Sequence, residues 1–178
     1  MFMRTQRLFL RPAWIEDAPA VAHLIAEPEI VRNLARAPWP YGLAEAEAFV
    51  TMPQDPKAPH FLLHLPGQGV IGSAGFGRQG AEVEIGYWIG RRWWGQGFAT
   101  EAAAALLDLA RMIGHRRLVA GHFADNPRSG SVLRKVGFVP TGTVARRHSE
   151  ARGEDAALVE FACDLEDQPA PREWRSAA

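Results

Sequence analysis

The sequence predicts a single α/β domain built on one mixed sheet. Three observations predict it. The elements run β-α-α, then through an antiparallel meander of three strands, and from the last of these onward as β-α-β-α-β-β. The strand–loop–helix of residues 81–113 leads into a strand at 116–123, the pattern of a right-handed crossover between parallel neighbours. The chain has 178 residues, 47% apolar and 22% charged, which suits one globular unit with its own core and no repeats.

Each element has a local cause. "RLFLRP" (7–12) alternates as a short strand closed by Pro12. "IEDAPAVAHLIAE" (15–27) reads as a helix with Asp17 at its N-cap. "RNLARAPWPYG" (32–42) is a proline-rich loop, and "LAEAEAFV" (43–50) is a short helix. "HFLLHL" (60–65), the turn "PGQG" and "VIGSAGFG" (70–77) read as a hairpin. In "AEVEIGYWIG" (81–90), alternation puts Val83, Ile85, Tyr87 and Ile89 on one side and Glu82, Glu84 and Trp88 on the other.

A helix then runs to about Ile113. Ala99, Ala102, Ala103, Leu106, Ala110 and Ile113 share its buried face, with Thr100, Glu101, Asp108 and Arg111 outward and Gly114 as the stop. "RRLVAGHF" (116–123) is a strand, "NPRSGSVLRKV" (126–136) a helix stopped by Gly137, and "FVPTG" opens another strand. "ALVEFACDL" (157–165) is the last strand, joined to its predecessor through "ARRHSEARGED" (145–155). The domain is expected to span 1–165, with a frayed tail at 166–178.

Composition narrows the function. Twenty basic and twenty acidic residues balance, which removes bulk attraction to nucleic acid or an anionic membrane surface. No run approaches the roughly 18–20 apolar residues of a spanning helix, and "MFMRTQRLFLRP" lacks the apolar stretch of a signal peptide. The single cysteine, Cys163, excludes an internal disulfide and a cysteine-based zinc cluster. The expectation is a cytoplasmic protein, monomer or homodimer, without a metal.

The informative stretch is "RRWWGQGFATEA" (91–102). A helix start offers unpaired amides and about half a positive charge, and Gly95 and Gly97 clear side chains from the approach. Arg91 and Arg92 stand ready to add charge. The loop therefore reads as an anion site, with a ligand-free strand-to-helix turn as the plainer possibility. Thr100 stands where a dinucleotide fingerprint needs its third glycine, and the chain contains no phosphate-loop motif ending in Gly-Lys-Ser/Thr.

Arg92-Trp93-Trp94-Gly95-Gln96-Gly97, preceded by "EIGYWIG" and followed by "FATEA", resembles the acetyl-CoA loop of the GCN5-related N-acetyltransferases (GNAT), in their RimJ/RimL-like branch. Asn126-Pro127-Arg128-Ser129 with "VLRKVGF" (132–138) is similar to the branch's next helix, and "TQRLFLRP" and "VIGSAGFG" agree. The resemblance spans about residues 4–165.

It implies the GNAT fold, in which the strand before the loop splays from its parallel neighbour. It also implies acetyl-CoA as acyl donor and an amine-bearing acceptor. On that pattern the backbone of Trp88, Ile89 and Gly90 pairs with the pantetheine arm. The segment Arg92 to Ala99, including Trp94, Gly95, Gln96, Gly97 and Phe98, holds the pyrophosphate. Asn126 reaches the arm, caps its helix, or does both.

The resemblance further implies that the amine attacks the thioester directly, which needs a base. Glu84 is the first candidate and Glu82 the second. Both also fit as solvated strand carboxylates. His60, His64, His122 and His148 could also serve as the base, with a structural role the plainer reading of each. Many relatives place a tyrosine seven residues after the asparagine to assist the leaving thiolate, but that position here is Leu133. The branch points instead to Ser129, which also fits as a capping or surface residue. Trp39 and Tyr41 fall where this fold's substrate lip lies. Use of another acyl-CoA, or a non-catalytic acyl-CoA-binding module, would equally retain Gly95, Gly97 and Asn126.

Overall fold

A computed structural model describes residues 1–166. Eight strands form one mixed sheet in the order β1-β2-β3-β4-β5-β6-β8-β7. They are β1 (Met3–Arg4), β2 (Phe9–Arg11), β3 (His60–Leu65), β4 (Gly69–Gln79), β5 (Glu82–Ile89), β6 (Arg117–Phe123), β7 (Val139–Ser149) and β8 (Glu154–Asp164). Five helices cover it: α1 (Ala18–Ile25), α2 (Pro28–Val31), α3 (Leu43–Val50), α4 (Phe98–Met112) and α5 (Pro127–Lys135).

Strand alternation divides the core between the two faces. Leu63, Ile71, Ile85 and Ile89 pack with Phe98, Leu106 and Leu133 of α4 and α5. Leu62, Val70 and Trp88, their neighbours in sequence, pack with Val21, Ile25, Ile30 and Val50 of α1, α2 and α3. Each strand thus feeds two separate apolar layers, which explains the near-continuous apolar runs in β3 and β4.

β5 and β6 are the one parallel pair among the described strands, and they register at a single position, Glu84↔Val119. β5 keeps a continuous antiparallel ladder with β4 from Gln79↔Glu82 to Gly72↔Ile89. β6 is paired along its whole length with β8, from Arg117↔Asp164 to Phe123↔Leu158. Beyond Glu84 the two parallel strands therefore follow different partners and part. The sheet opens at their C-terminal ends, where the loops into α4 and α5 begin.

Some local expectations need correction. Asp17 stands at the start of α1 but does not cap it. Its carboxylate accepts from Arg11 Nη2 at 2.6 Å, Arg11 Nη1 at 2.8 Å and the Trp14 amide at 2.8 Å. Asp108, expected on the outer face of α4, is buried and pairs with Arg111 at 3.0 Å. This helix is covered nearly all round, with Ala105, Leu107 and Leu109 buried as well. β7 and β8 reach further toward each other than "ARRHSEARGED" suggested, leaving only 150–153 as the turn. The short α2 falls between predicted elements. The tail from 167 onward, expected to fray, lies outside the described residues.

Candidate active site

The parting of β5 and β6 opens into a cavity of about 1490 Å³, lined by both strands, the loop into α4, α5, the 33–38 loop and α3. Gly90 N–H donates to Ile71 O at 2.8 Å. Since bonded and non-bonded pairs alternate along an antiparallel ladder, the polar backbone groups of Trp88 and Gly90 face β4. Those of Tyr87 and Ile89 face the gap. The Ile89 carbonyl already accepts the Trp94 indole at 2.6 Å. An extended arm in the gap would therefore meet chiefly the Tyr87 and Ile89 backbone, rather than all three of Trp88, Ile89 and Gly90.

At the wide end lies the glycine loop. Gly95 and Gly97 have φ of 75° and 82°, the left-handed region that side chains resist. Gly97 is the N-cap of α4, so the amides of Phe98, Ala99 and Thr100 have no carbonyl one turn back to bond. All three residues line the cavity, with Trp94, Gly95 and Gly97. A cradle of bare backbone donors at a positive helix end fits a pyrophosphate.

The arginines behave otherwise than expected. Arg91 Nη1 pairs with Glu29 at 2.9 Å and reaches Glu27 at 3.7 Å, and Arg92 lies over the Trp93 ring at 5.8 Å. Neither lines the cavity, nor does Gln96, whose amide returns to the Arg92 carbonyl at 3.1 Å. The cationic brace comes instead from Arg7. It donates to the Gln96 carbonyl at 2.9 Å and to Glu101 at 2.7 Å, and it covers the Phe98 ring at 4.3 Å. Burial pushes the Glu101 carboxyl up, but hydrogen bonds from the Thr5 hydroxyl and from Arg7 outweigh it, so its pKa sits below the ordinary value.

The start of α5 supplies the opposite wall. Asn126 occupies the N-cap position, yet its side chain makes no capping bond and lines the cavity. Capping, the plainer reading, is thus not what its amide does. Three residues on, Ser129 Oγ lies 3.0 Å from the Tyr87 hydroxyl. Burial raises the Tyr87 phenol to about 12, against the opposing pull of the Ser129 bond. Leu133 is 1% exposed within the apolar layer.

Glu84 points from the other face of β5, the face that carries Trp88. It is half-buried, lines the cavity, and its Oε1 accepts from Arg147 Nη1 at 2.6 Å. Arg147 also donates to Gln79. Glu82, two residues earlier, is exposed and outside the lining. His60 sits between Gln54 and Phe49 with its pKa lowered by burial, His122 Nδ1 contacts the Phe123 carbonyl at 2.8 Å, and His148 is exposed beside Asp155. Cys163 is buried, its thiol pushed up by that burial.

The 33–38 loop at the cavity's rim is pinned by long-range contacts. Arg152 reaches Asp125 at 2.9 Å and the Arg32 carbonyl at 2.9 Å, while Ser149 Oγ donates to the Leu34 carbonyl and Glu150 N–H to that of Ala35. Tyr41 lines the cavity, 8% exposed, with its phenol raised to about 12 by burial first and Glu45 second. Trp39, expected beside it, is 46% exposed and outside the lining. Among the described residues no group of three His, Cys, Asp or Glu side chains could hold a metal, and no helix is long and apolar enough to cross a membrane.

The GNAT acetyltransferase domain model matches residues 7–139, the span holding both the loop and α5. The chain belongs to the GNAT acetyltransferase family. This N-acetyltransferase is 29% identical over 165 residues to the uncharacterized N-acetyltransferase p20 of Bacillus licheniformis, covering 84% of this chain and 88% of that one. Its fold superposes on a GNAT-family acetyltransferase from Bacillus anthracis with a TM-score of 0.78, at 22% identity over 94% of this chain and 100% of that one. RimL, the alpha-N-protein acetyltransferase of ribosomal L7/L12 in complex with coenzyme A, gives 0.76 at 20% identity over 94% and 100%. Acetyl-CoA is the acyl donor of this family, and the glycine loop, the open gap and the uncapped Asn126 side chain suit it.

Of the residues named from sequence, Glu84, Ser129, Asn126, Tyr41, Trp88, Ile89, His60, His122 and the loop from Trp94 to Ala99 (Gln96 excepted) converge on one cavity. Tyr87, Arg147 and Arg7 were not singled out. Tyr87 was legible as inward-facing, but its partner lies 42 residues away. Arg7 and Arg147 meet carboxylates 94 and 63 residues distant, which no local pattern reveals.

Proposed function

We propose that this acetyltransferase moves the acetyl group of acetyl-CoA to a primary amine, a protein N-terminus or a small amine, by direct attack. What carries the reading is the placement of Glu84 and Ser129 on opposite faces of β5, at the two sides of the gap that the glycine loop closes. Bound acetyl-CoA supplies an electrophilic thioester carbonyl. The amides of Phe98 and Ala99 hold its pyrophosphate, the Tyr87 and Ile89 backbone pairs with its arm, and the Asn126 amide reaches the arm from α5.

The amine enters from the lip formed by residues 33–38 and Tyr41. An amine near pKa ~10 arrives protonated, and Glu84 takes the proton directly or through water. Arg147 fixes the orientation of that carboxylate through Oε1. On the far side the Ser129 hydroxyl hydrogen-bonds the sulfur as it gains charge, an interaction stronger in the transition state than in the ground state.

Glu84→Gln tests this. The amide oxygen can still accept from Arg147, so the site keeps its shape but loses its base. Turnover should fall by about 10²–10⁴ with acetyl-CoA affinity unchanged. Full activity in that variant would remove Glu84 from the mechanism.

A further inference from the structure

We infer that Tyr87 is a positioning residue that sets the direction of the Ser129 hydroxyl toward the thioester sulfur. This rests on the role proposed for Ser129 and extends it to a group on another element.

The position seven residues after Asn126 offers no hydroxyl, because Leu133 fills it and is packed into the core. A phenol nevertheless reaches the same wall from β5. The Tyr87 hydroxyl lies 3.0 Å from Ser129 Oγ and 3.2 Å from the Ser129 carbonyl oxygen, and both residues line the cavity. That carbonyl lies inside α5, one turn before Leu133, where the i→i−4 helical pattern supplies it a backbone donor, so it does not depend on the phenol. Tyr87 can therefore give its proton to Ser129 Oγ without leaving a buried acceptor empty.

The consequence is geometric. A serine near a helix start turns its hydroxyl freely among several partners, including its own backbone. Once the phenol donates to Oγ, the lone pair facing β5 is used and the serine proton is left to point into the gap. The two bonds in series also polarise each other. Burial keeps the phenol protonated, with its pKa at about 12, so it acts as a fixed donor through the neutral range.

In the reaction the N–C bond forms and the C–S bond breaks, its electron pair going to sulfur. The ammonium gives up two protons, one to Glu84 before attack and one as the amide forms, and both pass to water. The Ser129 hydroxyl holds the charge on sulfur until CoA departs and takes a proton from solvent. Tyr87 exchanges no proton in this scheme.

CoA itself, without any amine, is the probe. Its thiol is titrated while bound, followed by the ultraviolet absorbance of the thiolate. Ser129→Ala should raise the bound thiol's pKa by about one unit, as expected for losing a hydrogen bond to a charged group. Tyr87→Phe, which keeps the ring, should raise it by a smaller amount with CoA affinity unchanged. The double variant should match Ser129→Ala alone, since Tyr87 acts only through the serine.

Should Tyr87→Phe fail to fold, fluorotyrosine serves instead. The chain has two tyrosines, so incorporation in a Tyr41→Phe background places it at Tyr87 alone. Its stronger donation should lower the bound thiol's pKa. A shift with Ser129→Ala but none on altering Tyr87 would overturn this inference and leave the serine's role standing. No shift with Ser129→Ala would overturn both. Additive shifts in the double variant would mean that Tyr87 acts on sulfur by itself.

Discussion

Gly97→Ala isolates the backbone conformation of the donor loop. Gly97 has φ of 82°, and a Cβ there would meet only Arg7 Nη2, at an ordinary contact distance of 3.5 Å. The substitution is therefore strained without being crowded. A left-handed L-residue costs about 1–2 kcal/mol, or roughly 2–8 °C in Tm for a chain of this size. If the loop relieves that strain by leaving the left-handed region, the Phe98 and Ala99 amides turn from the cavity, and binding must restore them. Acetyl-CoA affinity should then fall by about five- to thirtyfold, with any steric effect of the methyl group added. Gly80 provides the control. It lies in the turn at the opposite end of β5, with φ of 60° and nothing within 4 Å of an added Cβ. Gly80→Ala should lose similar stability and keep its affinity. Calorimetry with acetyl-CoA and thermal melts on both variants check this. Equal melting losses with affinity unchanged in both would refute the assignment of the loop.

Asn126→Ala should weaken acetyl-CoA binding while costing less than about 0.5 kcal/mol of stability, because no capping bond is lost; a large melting loss with unchanged affinity would contradict this. Leu133→Tyr should destabilise by about 1–3 kcal/mol through overpacking, rather than supply a useful phenol, as denaturant unfolding would report. Glu101 gives a pH dependence. Its folded pKa lies below the ordinary 4.5, so its contribution is complete above about pH 4.5 and is lost as pH falls through the lower folded value. The acid limb of Tm against pH should therefore be shallower in Glu101→Gln, and parallel curves would refute it.

How much was legible depended on where each signal lay. Paired glycines before an alanine-rich helix announce a tight strand-to-helix turn with bare backbone donors, and the β5 alternation placed Glu84 and Tyr87 on opposite faces correctly. The splay itself is not in any local pattern, since it arises because β5 follows β4 while β6 follows β8. β7 was underread for a related reason. As the outermost strand, paired only with β8, it exposes most of its length and carries "TGTVARRHS" instead of an apolar alternation. Arg91 and Arg92 looked like phosphate ligands by adjacency alone, but Arg91 is paired with the carboxylates of Glu27 and Glu29. Trp39 and Tyr41 sit two residues apart, yet only Tyr41 turns inward, against α3.

The most direct test incubates the wild-type chain with acetyl-CoA and a broad panel of primary amines, including peptides with free N-termini. Released thiol is measured alongside acetylated product. The account predicts thiol release matched one-to-one by an acetylated amine, and its near loss in Glu84→Gln at unchanged acetyl-CoA affinity. Tight acetyl-CoA binding with no amine acetylated anywhere in the panel would contradict it and make the chain a binding module.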